Sequence, residues 1–186
     1  MKRFPNIETA KFPNLTHLMI QRIEMDQTGL SNIFKSGLKL KKLELRVTTI
    51  EICSLNDIHL IPTLEHVVIQ FSSANLSLDF QSLSKLNLKK LELTRPQITT
   101  TSLTSLCSGD HQLKEMIFIG SSIAISDFAY FCNTLSIYLT RLDMLQCNLT
   151  GYHLKEIGKL VNLRYLNLTA NNTLLTNDLL HLGPLC

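Results

Sequence analysis

The stretch Leu40-Lys41-Lys42-Leu43-Glu44-Leu45 decides the fold, because the same six letters return as Leu88-Lys89-Lys90-Leu91-Glu92-Leu93. Both are copies of a phrase, apolar-x-x-apolar-x-apolar, that occurs seven times in the 186 residues. The phrases open at Leu15, Leu40, Leu64, Leu88, Leu113, Leu139 and Leu163. Recurrence every 24 to 26 residues is typical of a stacked array in which each unit packs on its neighbours.

Each phrase predicts a short strand, and the residues after it predict a helix. Apolar and polar residues alternate within the phrase, as on a strand whose side chains point to opposite faces in turn. The following residues carry apolar side chains at helical spacing, and Ser126 and Thr150 are candidate helix caps. We therefore expect an α/β fold in which parallel strands pair side by side and helices cover one face of the sheet.

The seventh phrase reads Leu163-x-x-Leu166-x-Leu168-x-x-Asn171, and the sixth has Cys147 at the position of Asn171. In these letters the chain resembles the leucine-rich repeat family, and the sixth phrase is similar to its ribonuclease-inhibitor-like and cysteine-containing, F-box-associated subclasses. The resemblance implies a solenoid of about seven repeats, a curved horseshoe with the sheet on its concave face and helices on its convex face. It would fill residues 1–186 as a single domain, with repeats opening near 15, 40, 64, 88, 113, 139 and 163.

The ninth position of the phrase, where the family has Asn or Cys, varies in this chain. It holds Ile23, Thr48, Ser72, Pro96, Ser121, Cys147 and Asn171. Polar side chains can bond backbone groups at the turn that leaves the strand, whereas Ile23 cannot and Pro96 lacks an N–H. We therefore predict irregular turns in the first and fourth repeats.

Composition limits the compartment and the partner. A net charge of +3 is mild, so no nucleic-acid partner is expected, and no apolar stretch is long enough to predict a membrane span or a signal peptide. The cysteines have unrelated spacings, which fits reduced thiols in a cytoplasmic or alternatively a nuclear protein. They are Cys53, Cys107, Cys132, Cys147 and Cys186.

Five Asn-x-Ser/Thr sequons favour an extracellular protein instead. They lie at Asn14, Asn75, Asn148, Asn167 and Asn171. The phrase offers another cause, since Asn75 and Asn148 share one turn position and Asn167 falls in a predicted strand. We therefore expect these sites to be unglycosylated, with an extracellular recognition domain as an alternative.

The sequence contains no catalytic motif. It has no His-Glu-x-x-His pair, no Gly-rich phosphate loop ending in Lys-Ser/Thr, no Gly-x-Ser-x-Gly elbow and no Cys-x-x-Cys pair. We therefore expect no enzyme activity, no catalytic residue, no metal site, no cofactor and no small-molecule substrate.

Strand alternation places the third, fifth and seventh residues of each phrase on the face turned away from the helices. We predict that a protein partner binds this concave face. The predicted binding residues are Lys42, Glu44, His66, Val68, Lys90, Glu92, Glu115, Ile117, Ile119, Arg141, Asp143, Leu145, Tyr165 and Asn167.

Two interpretations of this face stay open. In the first, neighbouring charges only neutralise one another, at most about 1 kcal/mol per exposed pair. The expected pairs are Lys42 with Glu44, Lys90 with Glu92, and Arg141 with Asp143. In the second, the charges orient a partner while Ile117, Ile119 and Leu145 supply affinity from a solvent-facing apolar cluster on the fifth and sixth strands.

The resemblance implies a protein-interaction module, in one version the substrate-recognition part of a ubiquitin ligase complex. Family members of that kind join the repeats to an F-box or a similar adaptor-binding segment, which this sequence does not contain. One alternative is a ribonuclease-inhibitor-like regulator that blocks an enzyme, and a strongly acidic face would favour it. The other is the extracellular recognition domain.

Overall fold

The structure is a computed structural model that describes residues 12–23, 25–47, 55–71, 80–96, 98, 100–109 and 112–185. Several residues considered above therefore lie outside the described part of the chain. They are Thr48, Cys53, Ser72, Asn75 and Cys186.

Seven strands begin at the third residue of the seven phrases. They are β1 (His17–Gln21), β2 (Lys42–Val47), β3 (His66–Phe71), β4 (Lys90–Thr94), β5 (Glu115–Ile119), β6 (Arg141–Leu145) and β7 (Tyr165–Asn167). All neighbours pair in parallel, and their order in the sheet is their order in the chain. Equal phrase positions lie side by side, so that Leu43 is paired with Val67 and Leu91 with Met116. The expected α/β fold with a parallel sheet is confirmed.

Helices follow four of the described strands. They are α1 (Gln27–Phe34), α2 (Thr100–Cys107), α3 (Ile125–Leu135) and α4 (Gly151–Ile157). Short 3-10 segments precede β3 and β4, at Ile58–Leu60 and Leu83–Lys85, and a longer one spans Thr176–Leu185. Thr150 is the N-cap of α4 as predicted, but α3 begins at Ile125, so Ser126 lies inside the helix and the prediction that it caps is wrong.

The core lies between the helices and one face of the sheet. The second and third apolar positions of the phrase supply its sheet side, where Leu43 and Leu91 are completely buried. Phe118 of β5 meets the ring of Phe131 of α3 edge-on at 5.8 Å, which ties helix and strand together. Each such side chain contributes about 2 kcal/mol by leaving water. Leu166 on β7 is only partly buried, because no described strand pairs with its outer edge.

The turns after the strands overturn one sequence-based expectation. A left-handed backbone recurs at the eighth phrase position, with φ between 54° and 64° at Arg22, Arg95, Gly120, Gln146 and Ala170. The N–H of Arg95 donates to the carbonyl of Ile119 on the next strand at 2.7 Å, and three of the other four make the equivalent bond. Since this backbone bond sets the start of the turn, the first and fourth turns begin as the others do despite Ile23 and Pro96, and the prediction of irregular turns is wrong for this described part.

The side chain of Asn171 connects the turn after β6 to the turn after β7. Its Oδ1 accepts the backbone N–H groups of Cys147 and Leu149 at 2.9 and 3.3 Å, while its Nδ2 donates to the carbonyls of Met144 and Leu168 at 2.7 and 2.9 Å. This buried amide therefore satisfies backbone groups of two consecutive units. It is also closed to a glycosylating enzyme in the folded chain.

Candidate protein-binding face

The candidate site is the face of the sheet opposite the helices, which we call the open face. It consists of the third, fifth and seventh phrase residues on β1–β7, and all the predicted partner-binding residues lie on it. Parallel pairing without a shift arranges them in three rows across the strands. Neighbours in a row are about 4.8 Å apart, so the side chains of adjacent strands touch.

Glu44 is the centre of the largest charge cluster on the open face. Its Oε1 lies 2.7 Å from Nζ of Lys42 and 3.0 Å from Nε2 of His17, and Nε of Arg46 donates to Oε2 at 3.1 Å. The carboxylate is 3% exposed. Burial acts to raise the pKa of Glu44, but hydrogen bonds from Lys42, Arg46 and His17 outweigh it and lower this pKa to about 2. The carboxylate is therefore ionised and held in place.

Arg46 extends this cluster to two further strands. One terminal nitrogen donates to Oε1 of Gln70 on β3 at 3.1 Å, and the other lies 3.7 Å from Oε1 of Glu92 on β4. Arg46 was not among the predicted binding residues. Its place at the seventh phrase position, in register with Gln70, is the sequence signal that identifies it.

The expected charge pairs are partly confirmed. Lys42 pairs with Glu44, and Nε of Arg141 donates to Oδ2 of Asp143 at 2.7 Å. The expected pair of Lys90 with Glu92 is wrong, because Lys90 instead reaches Glu115 at 3.0 Å on the next strand. Lys90 and Glu115 are register partners, so their side chains start side by side, while Glu92 is near Arg46.

The far end of the open face carries an aromatic and cationic pair. The guanidinium of Arg141 lies over the ring of Tyr165, 4.2 Å from its centroid, and Tyr165 is 47% exposed. The carboxylate of Asp143 accepts one hydrogen bond from Nε of Arg141 and another, at 3.0 Å, from Nδ2 of Asn167. These four side chains therefore hold one another in place, so a partner that binds them does not have to pay the entropic cost of ordering them.

His66 is a neutral member of the third-position row. Its Nε2 is buried and makes no hydrogen bond to any described residue. The pKa of His66 is lowered to about 4. The main cause is burial, and the positive charges of Lys42 and Lys90 add to it, while Glu44 and Glu115 oppose it more weakly. The ring therefore adds no charge to the open face near pH 7.

The apolar cluster differs from the one expected. Ile117 is only 8% exposed, and Val68 is also buried, although neither belongs to the core beneath the helices. Both occupy the middle row, between the register partners Glu44 and Glu92 for Val68 and Glu92 and Asp143 for Ile117. Ile119 and Leu145 are partly exposed and lie side by side across β5 and β6. The solvent-facing apolar surface predicted there is thus reduced to Ile119 and Leu145.

The open face has no excess charge. Its four cationic side chains, Lys42, Arg46, Lys90 and Arg141, balance four acidic ones, Glu44, Glu92, Glu115 and Asp143. Every one of these acids lies within 4 Å of a cation. Such a surface favours a partner of mixed charge over a strongly charged one.

Within the described ranges, no group of three or more His, Cys, Asp and Glu side chains is placed to hold a metal ion. No helix of the described chain has the length and apolar character needed to cross a bilayer.

A cavity of about 380 Å³, which we call the edge cavity, opens at the N-terminal ends of β5, β6 and β7. It was not among the sequence-based predictions. Among the residues that line it are Lys114, Ile137, Tyr138, Thr140, Asn162 and Arg164. The available signal was a pair of large apolar residues, Ile137 and Tyr138, just before the sixth phrase, and both are exposed and outside the core cluster.

No protein-family model and no curated protein matches the sequence of this chain. A function must therefore be inferred from the open face and the edge cavity themselves.

Proposed function

We propose that the chain is a leucine-rich-repeat-type solenoid whose open face is concave, and that this face binds a protein partner. The order of the strands, their unshifted parallel register and the helices on one side support a stacked array. In such an array each unit presents its third, fifth and seventh phrase residues at one place. The result is an extended surface suited to another protein and not an enclosed pocket suited to a small ligand.

The observation that carries the proposal is the ordered patch on β5–β7. Ile119 and Leu145 offer adjacent apolar side chains in the seventh-position row, and Arg141 stacked on Tyr165 lies in the third-position row at the other end of β6 and β7. Arginine and tyrosine are the residue types that dominate binding energy at protein interfaces, particularly when they are ordered in advance. Charge pairs elsewhere on the open face would set the orientation of the partner and contribute little affinity.

The neutral balance of the open face favours one version of this function over another. A regulator that blocks a basic enzyme would present a strongly acidic surface, and here acids and cations are equal in number. We therefore favour an adaptor that recognises a partner, of which substrate recognition in a ubiquitin ligase complex is one form. In this role the chain binds without catalysis, metal or cofactor.

We place this adaptor in the cytoplasm or the nucleus. Cys107, Cys132 and Cys147 are free, buried thiols, and burial raises the pKa of Cys107 to about 12. Thiols of this kind are common in reducing compartments. Among the sequons, Asn171 is buried, while Asn167 donates to Asp143 on the open face.

The test is affinity capture from cell lysate with two matched double variants. Ile119→Asp with Leu145→Asp places charge on the proposed contact patch, and both side chains are already partly exposed, so the fold should persist. Tyr152→Asp with Leu180→Asp makes the same change at side chains that are 70% and 78% exposed, outside the open face. Quantitative mass spectrometry should show proteins retained by the wild type and the control and lost by the open-face variant. Equal capture by all three would refute the proposal.

A further inference from the structure

The edge cavity has one cation on each side and apolar side chains between them. Lys114 comes just before β5, Ile137 and Tyr138 just before β6, and Arg164 just before β7. Because β6 lies between β5 and β7, the segment that carries the apolar pair lies between the segments that carry the two cations. Ile137 and Tyr138 are 59% and 45% exposed, so both can accept a contact from outside.

The charges of the edge cavity are not balanced, in contrast to those of the open face. Neither Lys114 nor Arg164 forms an ion pair with a described residue, and no acidic side chain is among the described residues that line the cavity. Among the described residues, nothing neutralises these two positive charges. This arrangement favours an anionic ligand.

The spacing of the two cations favours two separate anions over one. Lys114 and Arg164 are two strands apart, which places their Cα atoms about 10 Å from each other. In an extended peptide, side chains at alternate residues point the same way, and residues four apart are about 13 Å apart. An acid-x-apolar-x-acid segment would therefore set one carboxylate near each flexible cation and its apolar side chain over Tyr138.

The backbone of the cavity is not free to pair with such a peptide as an added strand. The carbonyl of Lys114 already accepts the N–H groups of Thr140 and Arg141, and the carbonyl of Thr140 accepts those of Arg164 and Tyr165. Recognition must therefore come from side chains. Asn162, which lines the cavity, donates from Nδ2 to the carbonyl of Ile137 at 2.7 Å and has an amide oxygen that can accept a hydrogen bond.

We propose that the edge cavity is a second docking site, separate from the open face, that binds an extended acidic peptide segment of the pattern acid-x-apolar-x-acid. Lys114 and Arg164 bind the two carboxylates, and Ile137 with Tyr138 contacts the apolar residue between them. The site does not depend on the function proposed for the open face.

Fluorescence anisotropy with synthetic peptides tests this site on the full chain. The probe is fluorescein-labelled Ser-Glu-Ser-Leu-Ser-Glu-Ser, and the matched peptides replace leucine with glycine or both glutamates with lysine. We expect weak binding of the probe that declines with added salt, and at least a tenfold weaker binding of the lysine peptide, about the effect of two exposed ion pairs.

Three variants distinguish the cavity from general charge attraction. Lys114→Glu with Arg164→Glu should weaken probe binding at least about tenfold. Lys85→Glu with Lys155→Glu makes the same change in net charge at two exposed lysines outside the cavity and should leave binding within about twofold. Ile137→Ser should remove the preference for leucine over glycine in the central position of the peptide.

Several results would overturn the proposal. Equal weakening by both charge-reversal variants would reduce the effect to net charge, and tighter binding of a labelled oligothymidylate than of the probe would make the cavity a nucleic-acid site. Absence of any saturable binding by the wild type would also overturn it. The variant Ile119→Asp with Leu145→Asp should bind the probe like the wild type, so failure of the open-face proposal and failure of this one are distinguishable.

Discussion

Replacing Glu44 with glutamine tests the charge cluster that organises the open face. The change keeps the size of the side chain and removes its negative charge. Lys42 and Arg46 then remain beside each other without the carboxylate that now neutralises them at 2.7 and 3.1 Å. Removing one partner from a buried charge network destabilises the fold, because the remaining charges stay partly desolvated.

The magnitude follows from the pKa of Glu44, which falls from an ordinary 4.5 to about 2 in the folded chain. At about 1.4 kcal/mol per pKa unit, the folded state gains about 3 kcal/mol from ionising this group. Because the folded pKa lies below the unfolded one, the contribution is complete above pH 4.5 and is lost as the pH falls toward 2. At pH 3 roughly 2 kcal/mol of it should have disappeared.

Urea denaturation at pH 7 and pH 3 measures this contribution. The free energy of unfolding of Glu44→Gln should be about 2 to 3 kcal/mol below that of the wild type at pH 7, and the difference should shrink at pH 3. Glu92→Gln is the matched control, since Glu92 occupies the same row but has, within the described ranges, one cation beside it, Arg46 at 3.7 Å. We expect it to cost less than about 1 kcal/mol. A loss below about 0.5 kcal/mol for Glu44→Gln, or a loss equal at both pH values, would refute this reasoning.

Three other predictions have defined outcomes. Asn171→Ala should lower the free energy of unfolding by about 3 kcal/mol because it strands buried backbone groups, whereas Asn162→Ala at an exposed site should cost under about 1 kcal/mol in the same urea titration. Gly120→Ala should lower the free energy of unfolding by about 1 kcal/mol, because Gly120 has a positive φ that glycine adopts without strain. Gln146→Gly, also at a positive φ, should not destabilise the fold. Differential scanning calorimetry measures both variants, and a lower melting temperature for Gln146→Gly than for Gly120→Ala would contradict this reasoning. Three buried thiols, Cys107, Cys132 and Cys147, should be protected from iodoacetamide in the native chain and alkylated in urea, as peptide mapping would show. Rapid labelling of the native chain would contradict their burial.

The sequence predicts the sheet well because its signal is local and repeated. Every strand begins at the third residue of a phrase, and equal phrase positions pair because the spacing between phrases varies by at most two residues. Leu43 and Leu91 are buried as the alternation requires. Local spacing suffices here because each unit contacts mainly its neighbours in the chain.

The turns and the helix caps were harder to predict because backbone geometry decides them. The turn after β4 begins as the others do although Pro96 occupies the ninth position, since the N–H of Arg95 makes the bond that shapes its start. Likewise, α3 begins one residue before Ser126, after Ala124, and uses no side-chain cap there. A side chain that could form a turn or cap hydrogen bond therefore predicts the local structure poorly where backbone hydrogen bonds already determine it.

Positions on the open face could be predicted, but their exposure and pairing could not. Alternation places Ile117 on this face correctly, yet it is buried there, which alternation alone does not predict. Two acids are within reach of Lys90: its register partner Glu115 and Glu92, two positions along the same strand. Lys90 pairs with Glu115. Such choices depend on side-chain conformations across several strands, which a phrase of six letters does not encode.

Site-specific photo-crosslinking in cells tests the central claim, that a protein partner binds the open face, most directly. A photoreactive phenylalanine analogue replaces Ile119 in one version of the chain and Tyr152, on the outside of α4, in another. We predict a discrete crosslinked protein from position 119 and none from position 152. Crosslinks of equal yield to the same proteins from both positions, or from position 152 alone, would contradict the account.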